Sequence, residues 1–146
     1  GHLYATAWTA AVTASKEQAL VMATRLIDSQ FQFGGVRASE TQALQWPREG
    51  CRDPDADGWD GGTVPDDEVP RALIEATCEM ARELLVADRT AAPPGEGLRY
   101  FNDASMQTGY DKRDTRPIIS HVAQAMLAKF GALIKSRSGA VRLVRT

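Results

Sequence analysis

Three segments of the chain carry apolar residues at intervals of three and four, and long stretches without such a pattern separate them. This spacing places the apolar side chains on one face of an α-helix. Capping signals, prolines and glycines mark the ends of the three helices. The predicted bounds are Ser15 to near Ser29, Pro70 to the 91–95 segment, and Asp114 or Thr115 to Gly131. A further short helix is predicted before Ser15, because Tyr4, Trp8, Ala11 and Val12 also repeat at helical intervals.

The intervening stretches, 31–69 and 92–114, are too long for simple connectors in a compact domain. Loops of this length usually carry function or partner contacts, and the aromatic segment 98–110 could form a hairpin or an extended arm. The sequence therefore predicts a mainly α fold, a small bundle of three to four helices with long loops. We expect residues 1–135 to form a single helical domain and residues 136–146 an extended basic arm.

Size and composition narrow the functional classes. The 146 residues suffice for one ordinary domain with a modest core. The chain has 17 Lys and Arg against 19 Asp and Glu, a net charge of −2, so the molecule as a whole is not a cationic nucleic-acid binder. No apolar run approaches the roughly 18 residues that a membrane-spanning helix needs, so we expect no membrane contact. The chain begins at Gly1 with neither an initiator Met nor a signal-like segment, so we expect further residues upstream.

Charge is segregated along the chain. Residues 53–68 contain seven acids and no base, whereas residues from Lys112 onward contain eight bases and only Asp114 as an acid. This polarity is typical of a protein that stacks head to tail with copies of itself, although solvated surfaces produce it as well. We expect the acidic loop 53–60, with Asp53, Asp55 and Asp57, to contact basic residues of a neighbour. The candidate basic residues are Arg113 and Arg116.

The same acidic loop resembles the first half of an EF-hand calcium loop, with acids at its first, third and fifth positions. The twelfth position, where a bidentate Glu belongs, is Val64, and no helix is predicted before the loop. A solvent-exposed acidic loop is therefore favoured over a metal site, and no cofactor or metal is expected.

No catalytic group of residues is recognisable. His121 has no Cys, Glu or second His at helical spacing, and no phosphate-binding glycine motif occurs. Cys51 and Cys78 lie far apart with no metal-ligand spacing, which is typical of reduced cytosolic thiols. The chain is therefore not expected to be an enzyme.

The Trp46-Pro47-Arg48 step combines a large indole, a restricted backbone and an arginine that can stack or form bidentate pairs. It either locks the long loop onto the helices or anchors an interface. Both alternatives remain open at this point, so Trp46 and Arg48 are candidate interface residues.

The C-terminal segment 136–146 places apolar residues after a Ser-Arg-Ser-Gly hinge. Such a segment has little opportunity to pack on its own core, so we expect it to dock on another subunit or protein. The candidate interface residues are Arg137, Val141, Arg142, Leu143, Val144 and Arg145.

The sequence of residues 8–87 resembles a family of proteins that tailed bacteriophages encode. The resemblance rests on Trp8, the segments 15–20, 23–24, 26–28 and 33–37, the run Gln42-Ala-Leu44-Gln-Trp46-Pro47-Arg48, the pairs at 64–65 and 69–70, and Ala72, Ala76 and Ala81. Its most specific part is the Gln-x-Leu-x-Trp-Pro-Arg run. Members are catalogued as DnaT-like single-stranded-DNA-binding proteins and are similar to head-completion or head-to-tail connector (adaptor) proteins.

The resemblance implies a structural connector that forms a ring, commonly of twelve copies, below the portal. Its implied partners are further copies of itself, the portal protein, tail or neck proteins, and genomic DNA in transient non-specific contact. Its implied location is the virion neck, after assembly in the host cytoplasm. The alternative is a replication protein that binds single-stranded DNA, which needs a positive groove with aromatic platforms. The sequence favours the connector, because few aromatic residues accompany the bases after Lys112.

Overall fold

The computed structural model describes residues 4–56, 61–91, 100–103, 106–109 and 116–134. Four helices lie in these ranges: α1 (Thr6–Ala10), α2 (Thr13–Gln30), α3 (Arg71–Leu84) and α4 (His121–Leu127). The same ranges contain eight short strands: β1 (Phe31–Phe33), β2 (Val36–Arg37), β3 (Arg48–Glu49), β4 (Arg52–Asp53), β5 (Gly62–Thr63), β6 (Tyr100–Asp103), β7 (Met106–Gly109) and β8 (Gly131–Leu133). None of these helices combines the length and apolar character that crossing a membrane requires.

The strands form four separate two-stranded antiparallel sheets, β1–β8, β2–β3, β4–β5 and β6–β7. Strand β1 directly continues α2 and pairs with β8 so that Phe31 lies opposite Leu133. This pairing ties the end of the longest helix to the end of the described chain. The β6–β7 pair is a hairpin in which Asp103 lies opposite Met106.

The core lies between α2, α3 and α4. Four alanines, Ala23, Ala76, Ala81 and Ala123, have no exposed surface. Small side chains at these positions let helix backbones approach closely, and the gaps between them are filled by larger buried residues. The largest fully buried side chains are Ile27, Met80, Ile119, Leu127 and Cys51.

The predicted mainly α bundle is wrong: the fold is mixed α and β, with several small antiparallel sheets. The error lies in the 31–69 stretch, where turns that require glycine connect strands of only two or three residues. Gly35 has a φ of +66°, and a Cβ there would lie 2.1 Å from the Glu49 carbonyl oxygen. Only glycine fits this turn, and it allows β2 to fold back against β3.

The helix positions were predicted well and their ends less well. The short N-terminal helix is confirmed as α1, but α2 begins at Thr13 and has no side-chain cap, so the predicted capping role of Ser15 is wrong. Helix α4 is capped by Ser120, whose hydroxyl accepts from the backbone N–H of Ala123. The helix predicted from Asp114 or Thr115 to Gly131 therefore spans only His121–Leu127, and both of its predicted bounds are wrong, because residues 116–120 are not helical and Gly131 begins β8. Asp114 and Thr115 themselves lie outside the described residues.

Candidate functional site

Arg48 is buried and holds the turn after β1 in place through hydrogen bonds. Its side chain donates five hydrogen bonds, and three of them go to the carbonyl oxygens of Phe33 (3.4 Å), Gly34 (2.7 Å) and Gly35 (2.7 Å). The other two reach the backbone oxygen and the Oε1 of Gln45, at 3.1 and 2.9 Å. Arg48 is only 5% exposed, so in the isolated chain its guanidinium holds the loop together.

Trp46 is enclosed by two aromatic rings. Its indole meets Phe33 and Phe130 edge-on, with centroid distances of 5.6 and 5.9 Å. The side chain is 5% exposed, and the peptide bond to Pro47 is cis. Trp46 thus joins the loop, β1 and the segment before β8 into one aromatic cluster, an arrangement that favours the structural alternative for the Trp-Pro-Arg step.

Gln42 organises the same loop through its amide. The Nε2 atom donates to the carbonyl oxygens of Leu44 (2.9 Å) and Pro47 (3.0 Å), and the Oε1 atom accepts from the Ser39 backbone N–H at 2.9 Å. The Gln-x-Leu-x-Trp-Pro-Arg run is therefore part of a loop that is held together by its own hydrogen bonds. The sequence indicated that the run is distinctive, but it gave no role to Gln42.

The acidic loop is paired within the chain. The Lys129 ammonium lies 3.2 Å from Asp53 Oδ1 and 2.6 Å from Asp55 Oδ2, and these contacts raise the pKa of Lys129, with the hydrogen bond to Asp55 as the largest cause. These two ion pairs join the acidic loop to Lys129 of the same molecule. Contact of Asp53 and Asp55 with Arg113 or Arg116 of a neighbour stays a prediction.

The other predicted interface residues fall into two groups. Burial lowers the pKa of Arg89, and the charge of the exposed Arg116 lowers it further. Arg89 itself donates to the carbonyl oxygens of Pro117 and Ile118 and pairs with Glu83, joining α3 to the segment before α4. The remaining predicted residues lie outside the described ranges: Asp57, Arg113, Arg137, Val141, Arg142, Leu143, Val144 and Arg145.

An open groove of about 240 Å³ lies between α2 and α3. Its lining residues are Leu20, Thr24, Ile27, Asp28, Leu44, Trp46, Val69, Leu73, Ile74, Thr77 and Cys78. Burial raises the pKa of the Asp28 carboxyl, against the lowering effects of the hydrogen bond from the Gln45 backbone N–H and of the nearby Arg48 charge. The groove is therefore mainly apolar, with one partly buried acid.

The groups that could carry catalysis are dispersed among the described residues. No cluster of three or more His, Cys, Asp or Glu side chains that could hold a metal occurs within them. Burial raises the pKa of the Cys51 thiol, which disfavours the nucleophilic thiolate, and Cys78 lies apart on the exposed side of α3.

A model of the family described as DnaT-like ssDNA binding protein matches residues 2–146. The chain belongs to this family. The match extends beyond residues 8–87, which carried the resemblance in the sequence, and it bears on DNA binding and not on a role at the capsid. No curated protein and no solved structure shows a detectable match to the chain.

The DnaT-like fold buries most of the aromatic rings that the structure describes. Phe31, Phe33, Trp46 and Phe130 are each no more than 5% exposed and cannot stack on a base without unfolding the core. The N-terminal Trp8 is partly buried, and the Lys16 ammonium lies 5.8 Å from its ring centroid. Stacking surfaces must therefore be sought outside the helical core.

The hairpin β6–β7 is the element that sequence reasoning described only loosely. Its first strand carries Tyr100 and Phe101, and basic residues follow its second strand at 112, 113 and 116. The available sequence signal was the closeness of three aromatic residues, at 100, 101 and 110, to these bases.

Proposed function

We propose that this DnaT-like protein binds single-stranded DNA through residues 99–116, here called the hairpin segment. The family match over residues 2–146 carries the proposal. Single-strand binding needs aromatic faces for the bases and positive charge for the phosphates. The hairpin segment holds both types: Arg99, Tyr100, Phe101, Tyr110, Lys112, Arg113 and Arg116.

The charge distribution supports this location. The molecule has a net charge of −2, and the acidic stretch 53–68 would repel phosphates. The hairpin segment, in contrast, contains four bases and three acids, with Glu96 just outside it. The three acids are Asp103, Asp111 and Asp114. DNA contact is therefore expected to be confined to one part of the surface and to weaken with salt.

Strand selectivity is the direct test of the proposed function. Fluorescence anisotropy with a labelled oligothymidine and its duplex with oligoadenine, at about 50 and 200 mM salt, measures both affinities. Because duplex bases are stacked and inaccessible to aromatic side chains, we expect the single strand to bind about tenfold more tightly or better. Equal, salt-sensitive binding to both forms would contradict the proposal and reflect charge alone.

A second candidate function is the head-to-tail connector of a tailed phage, in a ring with further copies below the portal. The observation in its favour is the segregation of seven acids in residues 53–68 from the bases after Lys112, together with the resemblance to adaptor proteins. Opposite charges on two separate segments of one chain suit a head-to-tail ring contact. The proposed partners are the portal protein and tail or neck proteins, with location in the virion neck.

A charge swap tests the connector candidate. Arg113→Glu with Arg116→Glu should abolish a ring contact, and adding Asp57→Lys with Asp60→Lys should restore it by reversing both sides. These acids are chosen because Asp53 and Asp55 already pair with Lys129. Electron microscopy of each variant with purified portal protein gives the readout. If the first pair of substitutions leaves assembly unchanged, this contact is excluded. If the first pair weakens assembly only by weakening DNA binding, the second pair should not restore assembly.

A further inference from the structure

The groove between α2 and α3 leaves large apolar side chains uncovered. Leu44, Val69 and Ile74 line it and are 50%, 43% and 52% exposed. Their positions on two different loops and on α3 make the apolar surface continuous with the groove floor, where Ile27 and Leu73 are buried. A continuous apolar surface of this kind usually marks a binding site.

One acidic group in the groove lining suggests what would bind there. The Asp28 carboxylate accepts a hydrogen bond from the Gln45 backbone N–H, and its remaining lone pairs can accept from a cationic side chain.

Three acids precede the groove residue Val69 in the chain. Asp66, Asp67 and Glu68 are exposed and directly precede the lining residue Val69. The C-terminal segment has complementary chemistry, with Arg142 and Arg145 flanking two apolar residues and Arg137 further upstream. An apolar groove with one acid in its lining and three acids directly before a lining residue in the chain therefore matches an apolar peptide that carries arginines.

We propose that residues 141–145 of the same chain occupy this groove, with Leu143 and Val144 on the apolar surface and an arginine against Asp28. The inference goes beyond the proposed function and does not depend on it, because neither DNA binding nor ring formation enters the argument. The C-terminal segment would then bind to its own chain and not, as the sequence suggested, to another subunit or protein.

The distance from the end of the described chain allows this. The backbone N–H of Ile134 donates to the carbonyl oxygen of Gln30 at 2.8 Å, which places Ile134 at the C-terminal end of α2. The groove begins at Asp28, close to this end, and runs back to Leu20 over about 12 Å of helix. Residues 135–140 can extend over roughly 20 Å, enough to pass around the helix end and enter the groove.

Cys78 provides a reporter inside the groove, since it is exposed and lines it, while Cys51 is buried. In the full chain carrying Leu143→Cys, mild oxidation with diamide should form a disulfide between positions 78 and 143 of one molecule. Non-reducing electrophoresis and peptide mass spectrometry identify it. The matched control, Leu143→Cys with Cys78→Ser and Val21→Cys, places the thiol on an exposed site of α2 outside the groove.

The expected result is intramolecular crosslinking at least tenfold faster for position 78 than for position 21. Ile74→Lys should slow the crosslink about tenfold, whereas Val21→Lys, at a residue of nearly equal exposure (51% against 52%), should leave it unchanged. Similar rates for both thiols would overturn the proposal. Crosslinks between molecules would overturn it too, in favour of an arm that docks on a second copy.

Discussion

Replacing Arg48 with Met is expected to lower the free energy of unfolding by about 3 kcal/mol, as measured by urea denaturation. The substitution keeps the apolar stem and removes all five hydrogen bonds of the guanidinium. The carbonyl oxygens of Phe33, Gly34 and Gly35 then lose their common donor. Water can reach some of these oxygens, which keeps the expected loss below the sum of separate hydrogen bonds.

Arg71→Met is the matched control for this prediction. Arg71 forms an exposed ion pair with Glu75 on α3, and its side chain is 90% exposed. Such surface pairs contribute little, so the control should change stability by less than about 0.5 kcal/mol. If Arg48→Met proves no more destabilising than the control, the loop does not depend on the guanidinium and the structural role assigned to Arg48 is wrong.

Replacing both Tyr100 and Phe101 with Ala is expected to reduce affinity for single-stranded DNA by about tenfold or more. Each base stacked on an aromatic side chain contributes roughly 1–3 kcal/mol, and these two residues lie in the hairpin strand β6. Affinity for duplex DNA, which depends on the phosphates alone, should change much less. Anisotropy titrations of both DNA forms at the same salt concentration separate these effects.

Tyr4→Ala serves as the control, because Tyr4 is 69% exposed and lies outside the hairpin segment. It should leave affinity for single-stranded DNA unchanged. Thermal melts of all variants establish that the helical core is intact. A hairpin variant that melts normally and binds single strands as well as the unmodified chain would exclude Tyr100 and Phe101 from the DNA contact.

The helices were predictable because their signal is local. In α3, Leu73, Ala76 and Met80 are buried at the predicted spacing, as are Ala23 and Ile27 in α2. The three-and-four spacing of these apolar residues can be read within one segment of the chain and does not depend on the rest of the fold. The N-terminus of α2 was misplaced because Ser15 resembles a cap in sequence, although the helix begins earlier without any side-chain cap.

The β1–β8 sheet was not predictable because its two strands are distant in sequence. Strand β8 follows Phe130, where the glycine at 131 indicated a helix end, and only its pairing with β1 makes it a strand. A Cβ on Gly131 would lie 2.3 Å from the Gln32 carbonyl oxygen, so this glycine permits close strand pairing. A glycine at this position is compatible both with a helix end and with close strand pairing, and the tertiary contact with β1 determines which of the two forms.

The site residues show the same division. The indole of Trp46 and the guanidinium of Arg48 were identified as important from residue type, yet only the structure shows that both are buried. The acidic loop was recognised from its charge, but its partner Lys129 lies on a distant segment. Sequence patterns therefore located these residues, and packing determined which face inward.

Photocrosslinking tests the central claim, that this DnaT-like protein contacts single-stranded DNA through residues 99–116, most directly. An oligonucleotide containing 5-iodouridine is irradiated with the full chain, and the crosslinked peptides are identified by mass spectrometry. We expect crosslinks to concentrate in the hairpin segment, above all at Tyr100, Phe101 or Tyr110, and excess unlabelled single strand to suppress them. Crosslinks spread over the surface, or concentrated at other aromatic residues such as Tyr4 and Trp8, would contradict it.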